Sequence, residues 1–136
     1  MKVSSNDLYT SGEYYKNNPT WDIADAGWKT DVINKLLSKN KIAPTDVIEV
    51  GCGAGANLVE LARKDNNIKH LTGYDISPQA IELASKNASG KLSFLNKDIA
   101  ADEYITTELM LVIDVVEHVD DYYGFLRMLK NKSTYF

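Results

Sequence analysis

A single cysteine, Cys52, leaves this chain without an internal disulfide and without the paired thiols of a zinc ribbon, so neither a stapled scaffold nor a metal site is expected. No apolar run approaches the ~20 residues that a membrane-spanning helix needs. The opening Met1-Lys2-Val3-Ser4-Ser5-Asn6-Asp7 lacks the apolar block of a secretory signal, and a cytoplasmic location is the default expectation. With 15 Lys and Arg against 19 Asp and Glu, the net charge of −4 argues against general binding to nucleic-acid backbones, which relies on clustered cations. What remains is an ordinary globular composition, 44% hydrophobic and 25% charged. At 136 residues, the chain can bury roughly two thirds of its unfolded surface in one core.

The most informative stretch is Val47-Ile48-Glu49-Val50-Gly51-Cys52-Gly53-Ala54-Gly55-Ala56-Asn57, followed by Leu58, Leu61 and Ala62 at helical spacing. It reads as a buried strand, a glycine-rich turn and a helix from about Ala56 to Lys64. Alternate glycines let the backbone pass close under a ligand, and a helix start offers unpaired N–H groups and the positive end of a dipole. A nucleotide-like cofactor suits such a turn.

Residues 1–20 are polar and tyrosine-rich (Tyr9, Tyr14, Tyr15) with no regular period, which predicts a surface arm whose rings either pack on the domain or cover a ligand. Trp21 and Trp28 bracket a short segment. Ile33, Leu36 and Leu37 continue at helical spacing, predicting an amphipathic helix from about Trp28 to Ser38. Both tryptophans are expected in the core, with Trp28 and the adjacent Lys29 as candidates for a pocket wall. Pro44 ends that unit, so residues 1–45 form an arm and helix and residues 46–136 the core domain.

Further strands are expected at Lys69–Tyr74, Lys91–Asn96 and Leu109–Ile113, the last a continuous apolar run typical of a strand covered on both faces. Ser77-Pro78 marks a helix start, a hydroxyl cap followed by proline at the first helical position. A last helix is expected from about Tyr122 to Leu129. Strands alternating with helices imply an α/β fold, a doubly wound parallel sheet that binds ligands at the carboxyl ends of its strands. Each strand ends at or just past an acid: Glu49, Asp75, Asp98 or Asp114. Four converging carboxylates repel one another, so a ligand offering hydroxyls, amino groups or positive charge is the economical explanation.

Gly51, Gly53 and Ala56 also satisfy the dinucleotide fingerprint G-x-G-x-x-G/A, with Asp75 at about the spacing that holds ribose hydroxyls. A nicotinamide-dependent oxidoreductase fragment is therefore one alternative. It leaves Glu49 beside an anionic pyrophosphate and gives Asp98 and the Asp114–His118 block nothing to do. A cofactor with an ammonium group, ribose hydroxyls, an adenine amine and a sulfonium would use all four acids.

Those are the groups of S-adenosylmethionine, and Glu49-Val50-Gly51-Cys52-Gly53-Ala54-Gly55 resembles the first motif of class I SAM-dependent methyltransferases. Tyr74-Asp75-Ile76-Ser77, Asn96-Lys97-Asp98-Ile99 and Asp114-Val115-Val116-Glu117-His118-Val119 resemble the motifs ending the family's second, third and fourth strands. Asn18-Pro19-Thr20-Trp21 and Trp28-Lys29 resemble the N-terminal segment of some small-molecule members. The resemblance implies a Rossmann-like sheet in the order 3-2-1-4, with S-adenosylmethionine as cofactor and S-adenosylhomocysteine as product. Gly51 and Gly53 would pass beneath the methionine and ribose portion, with Cys52 as a small residue in the turn and Glu49 facing the ammonium. Asp75 would take the ribose hydroxyls, Ile76 and Ile99 would contact adenine, and Asp98 would accept from its amino group. The segment near Asp114 would face the methionine portion. His118, of the residue type that ordinarily titrates near neutrality, is the candidate base for an oxygen or nitrogen acceptor on a small molecule. Complete family domains continue beyond a fourth strand and its helix, so the chain reads as incomplete at its C-terminus. The fourth strand is then expected at an open edge, to be covered by a second copy or a further segment. A SAM-binding module without catalysis is a further alternative.

Overall fold

A computed structural model describes residues 5–20 and 23–136. Trp21 lies outside the described residues, as do Met1–Ser4, so the readings placed on them have no structural counterpart here. The expected arm contains two short helices, α1 (Ser5–Thr10) and α2 (Glu13–Asn17). These are followed by α3 (Ala26–Lys39), β1 (Asp46–Val50), α4 (Ala56–Lys64), β2 (His70–Asp75), α5 (Pro78–Ser85) and β3 (Leu92–Asn96). The remaining elements are β4 (Thr107–Val112), α6 (Tyr122–Leu129) and β5 (Ser133–Tyr135).

The five strands form one parallel sheet in the order β3-β2-β1-β4-β5. The expectation of an open edge along the fourth strand is thus corrected. Backbone pairing matches Thr107 with Ser133 and Leu109 with Tyr135, so β5 covers half of β4 and the sheet edge passes to β5. The polypeptide returns from α6 in a tight turn, with the Lys132 N–H donating to Leu129 O, and Thr107 N–H donates to Lys132 O.

Two apolar clusters fill the two faces of the sheet. Val47, Leu71, Leu92, Leu109 and Leu111 meet Leu58 and Leu61 of α4, Ala84 of α5, and Ile33 and Leu37 of α3. Ile48, Val50, Tyr74 and Met110 meet Leu129, Phe125 and Met128 of α6 together with Ile99. Successive strand residues point to opposite faces, so Glu49 shares the face of Val47. It emerges under the first turn of α4, at the carboxyl end of the central strand. Among the described residues, no helix is long and apolar enough to cross a membrane.

Candidate functional site

The glycine turn is held in place by β2, because both Gly51 N–H and Cys52 N–H donate to Tyr74 O, at 2.8 and 3.0 Å. Gly51 adopts φ 68°, a backbone conformation that side chains disfavour, and a Cβ there would meet Val115 Cγ2 at 2.5 Å. Gly55, at φ 77°, ends the turn as the residue before α4, where a Cβ would run into the ring of Phe94. The turn and the strand ends enclose a cleft of about 350 Å³, within the range of small-molecule sites.

Glu49, Asp75, Asp98 and Asp114 all line this one cleft, with Gly51, Cys52, Gly53, Ile76, Ile99 and His118. Trp28 does not. It lies on the same stripe of α3 as Val32 and Leu36, and the three are 58%, 47% and 55% exposed. The expectation of a buried or pocket-lining Trp28 is corrected by helix phase. Its neighbour Lys29 shares the inward stripe of Ile33 and Leu37 and reaches the cleft.

Glu49 is the most constrained of the acids. It is 1% exposed, Asn57 Nδ2 donates to its Oε1 at 2.7 Å, and its buried Oε2 has no partner among the described residues. Burial pushes its carboxyl up to about 8, opposed by the Asn57 hydrogen bond and reinforced by Asp75. Asp75 is also buried, yet both of its oxygens are engaged: Gly53 N–H donates to Oδ2 and Ser77 N–H to Oδ1, each at 2.8 Å. Burial raises its pKa while these two backbone donors oppose the rise. Each oxygen retains a second acceptor position, which suits a neighbouring pair of hydroxyls.

Asp98 accepts from Ala100 N–H at 2.9 Å, capping the 3-10 turn Ile99–Ala101 that carries Ile99 into the core. Asp114 adopts φ 53°, a left-handed conformation that aspartate tolerates better than most residues. Lys29 Nζ donates to its Oδ2 at 2.7 Å, tying α3 to the end of β4. Cys52 is buried, and burial next to Glu49 and Asp75 raises its thiol well above the ordinary range. That environment keeps the thiol neutral and unsuited to nucleophilic work.

The arm contributes aromatic rings to the lining. Tyr9 and Tyr14 line the cleft, their ring centres 4.8 Å apart, and Tyr9 meets the His118 ring edge-on at 5.8 Å. Asn57 and Lys97 are lining residues that the sequence reading did not single out. Asn57 was legible in principle as an amide in the first turn after the glycines, one turn above the strand-end acid. Lys97 is tied to Asp102 Oδ2 at 2.9 Å, the same oxygen that accepts from the Tyr74 hydroxyl at 3.0 Å.

Comparison with known proteins agrees with this geometry. A profile described as a methyltransferase domain matches residues 23–134. The chain is 30% identical over 101 residues to the mitochondrial ubiquinone biosynthesis O-methyltransferase of Schizosaccharomyces pombe, an alignment covering 69% of this chain and 36% of that protein. The chain therefore spans about a third of the length of that relative. In fold it is similar to magnesium protoporphyrin IX methyltransferase from Synechocystis PCC 6803, crystallised with bound SAM, with a TM-score of 0.73 and 17% identity over 94% of this chain and 69% of that one. It is also similar to the plantazolicin methyltransferase crystallised with SAH, with a TM-score of 0.64 and 20% identity over 94% of this chain and 49% of that one. With the profile covering all but the arm and the last two residues, this chain belongs to the methyltransferase-domain family.

Proposed function

We propose that this chain binds S-adenosylmethionine in the strand-end cleft and directs its methyl group to an oxygen or nitrogen of a small-molecule acceptor. The observation that carries this reading is Glu49, a fully buried carboxyl in a cleft of acids with one oxygen unpartnered among the described residues. An uncompensated buried carboxylate is costly, and a ligand ammonium would supply both the missing donor and the missing charge. A pyrophosphate would supply neither. Asp75, with its oxygens fixed by Gly53 and Ser77, would hold the ribose hydroxyls. Asp98 and the apolar Ile76 and Ile99 would receive the adenine, and Gly51 and Gly53 keep the floor of the cleft free of side chains.

When bound, S-adenosylmethionine supplies a methyl group on a positively charged sulfur, which leaves as S-adenosylhomocysteine once an acceptor lone pair takes the methyl carbon. The residues of the chain orient the partners and exclude water, which can be worth about 7–11 kcal/mol in favourable cases. His118 stands on the cleft wall where it can accept a proton from the acceptor hydroxyl or amine.

Isothermal calorimetry with S-adenosylhomocysteine tests the reading. Saturable binding is expected, reduced at least tenfold by Asp75→Ala through loss of two charge-assisted hydrogen bonds. Binding of NADH in place of S-adenosylhomocysteine would overturn the proposal.

A further inference from the structure

We propose that the acceptor presents its nucleophile on a flat, uncharged ring, received by the rings of Tyr9, Tyr14 and His118 that line the cleft. The inference rests on the cofactor reading above and deepens it. The residues assigned to the cofactor all come from the strand ends and the turns that follow them. Other parts of the lining come from elsewhere, among them Tyr9 and Tyr14 from the arm, Val119 from the segment after His118, and Phe125 from α6. None of these is among the residues assigned to the cofactor above, and together they add ring faces and apolar groups to the lining.

The rings already pair with one another. Tyr9 and Tyr14 are tilted by 41° at 4.8 Å, and Tyr9 and His118 meet at 66° and 5.8 Å. Both spacings lie in the window of offset and edge-to-face aromatic pairs, so a planar guest extends a pattern already present. An aliphatic guest of equal size would fill space without that directional gain.

Charge narrows the class further. The cleft lining carries the acids Glu49, Asp75, Asp98 and Asp114 and two lysines. Lys29 is bridged to Asp114 and Lys97 to Asp102, so both cations are already engaged. A guest bearing a carboxylate or phosphate would find both lysines of the lining already engaged, with nothing to offset the desolvation of its charge. Burial raises the Tyr9 hydroxyl above its ordinary value, and Tyr14, Asp75 and Glu117 add to the rise. A neutral phenol or arylamine brings no charge that needs a neutralising partner.

Calorimetry on the full chain saturated with S-adenosylhomocysteine, using 2-naphthol, 2-naphthoate and decahydro-2-naphthol as probes, tests the proposal. The expected result is that 2-naphthol binds at least tenfold more tightly than the other two. Tyr9→Leu is expected to weaken 2-naphthol several-fold while changing S-adenosylhomocysteine affinity less than twofold, which also establishes that the variant is folded. Equal binding of the three probes, tighter binding of the naphthoate, no binding of 2-naphthol, or an unchanged 2-naphthol affinity in Tyr9→Leu would overturn the ring proposal while leaving the cofactor reading intact. Failure of S-adenosylhomocysteine itself to bind would overturn both.

Discussion

At the scale of single residues, Glu49 sets function against stability. Its carboxyl keeps its proton up to about 8 in the folded chain, against an ordinary value of 4.5, because burial disfavours the charge. Between those two values the folded state holds more protons than the unfolded one. Stability therefore falls as pH rises from about 4.5 to about 8 and is level for this group beyond that. The full shift corresponds to about 5 kcal/mol. Glu49→Gln removes the charge and keeps the acceptor for Asn57, while leaving an amide unpaired at a cost of about 1–3 kcal/mol. Urea unfolding at pH 8.5 is expected to find the variant about 2–4 kcal/mol more stable than the parent, with the advantage gone at pH 5. A parent stability that does not fall between those pH values would contradict the buried-acid account. The acid was legible in the sequence because it breaks an apolar strand just before glycines. Its companion Asn57 was not, since an amide in a helix's first turn is ordinary and only the fold brings it onto Glu49.

At the scale of elements, legibility followed length and punctuation. Helix α4 has the bounds its apolar period implied, and α5 starts where Ser77-Pro78 announces it, with Ser77 Oγ accepting from Ala80 N–H. The arm helices α1 and α2 escaped notice because six and five residues are too short for a period of 3.6 to repeat. Strand β5 is three residues long and gains its identity only by pairing with β4. Trp28 was misplaced because a wide apolar stripe on α3 leaves its rotation open, and of the two candidates for a pocket wall only Lys29 faces the cleft. Substitutions at the two ends of the glycine-turn region separate strain from capping. Gly55→Ala places a Cβ on Phe94 at a left-handed backbone angle, so a loss of about 3 kcal/mol is expected from the two causes together. Ser77→Ala removes one cap hydrogen bond and should cost about 1 kcal/mol. Chemical denaturation midpoints that reverse this order would show that the Phe94 contact yields more easily than the backbone geometry implies.

At the scale of the whole molecule, the site and the fold share one sheet, so occupancy of the cleft should be readable as global stability. The turn that carries Gly51 and Gly53 is bonded to β2, Asp75 ends β2, and Asp114 joins β4 to α3 through Lys29. A ligand touching these groups grips three strands and a helix together. With S-adenosylhomocysteine at 100 times its dissociation constant, mass action stabilises the folded state by about 2.7 kcal/mol. For a domain of this size that raises the thermal midpoint by about 10 °C. The pH dependence of that shift tests whether Glu49 receives the ligand's positive group. A carboxyl that titrates at about 8 must lose its proton to accept an ammonium, so affinity should fall about tenfold for each pH unit below 8. Each tenfold loss removes about 1.4 kcal/mol from the stabilisation. At a fixed ligand concentration that gives 100-fold excess at pH 8, the thermal shift should shrink to less than half by pH 6.5. In Glu49→Gln the shift should be small at both pH values and lose its dependence on pH. A parent shift of equal size at pH 6.5 and pH 8 would mean that the ligand binds without engaging Glu49, and that the unpartnered oxygen is filled by something other than the cofactor's charge.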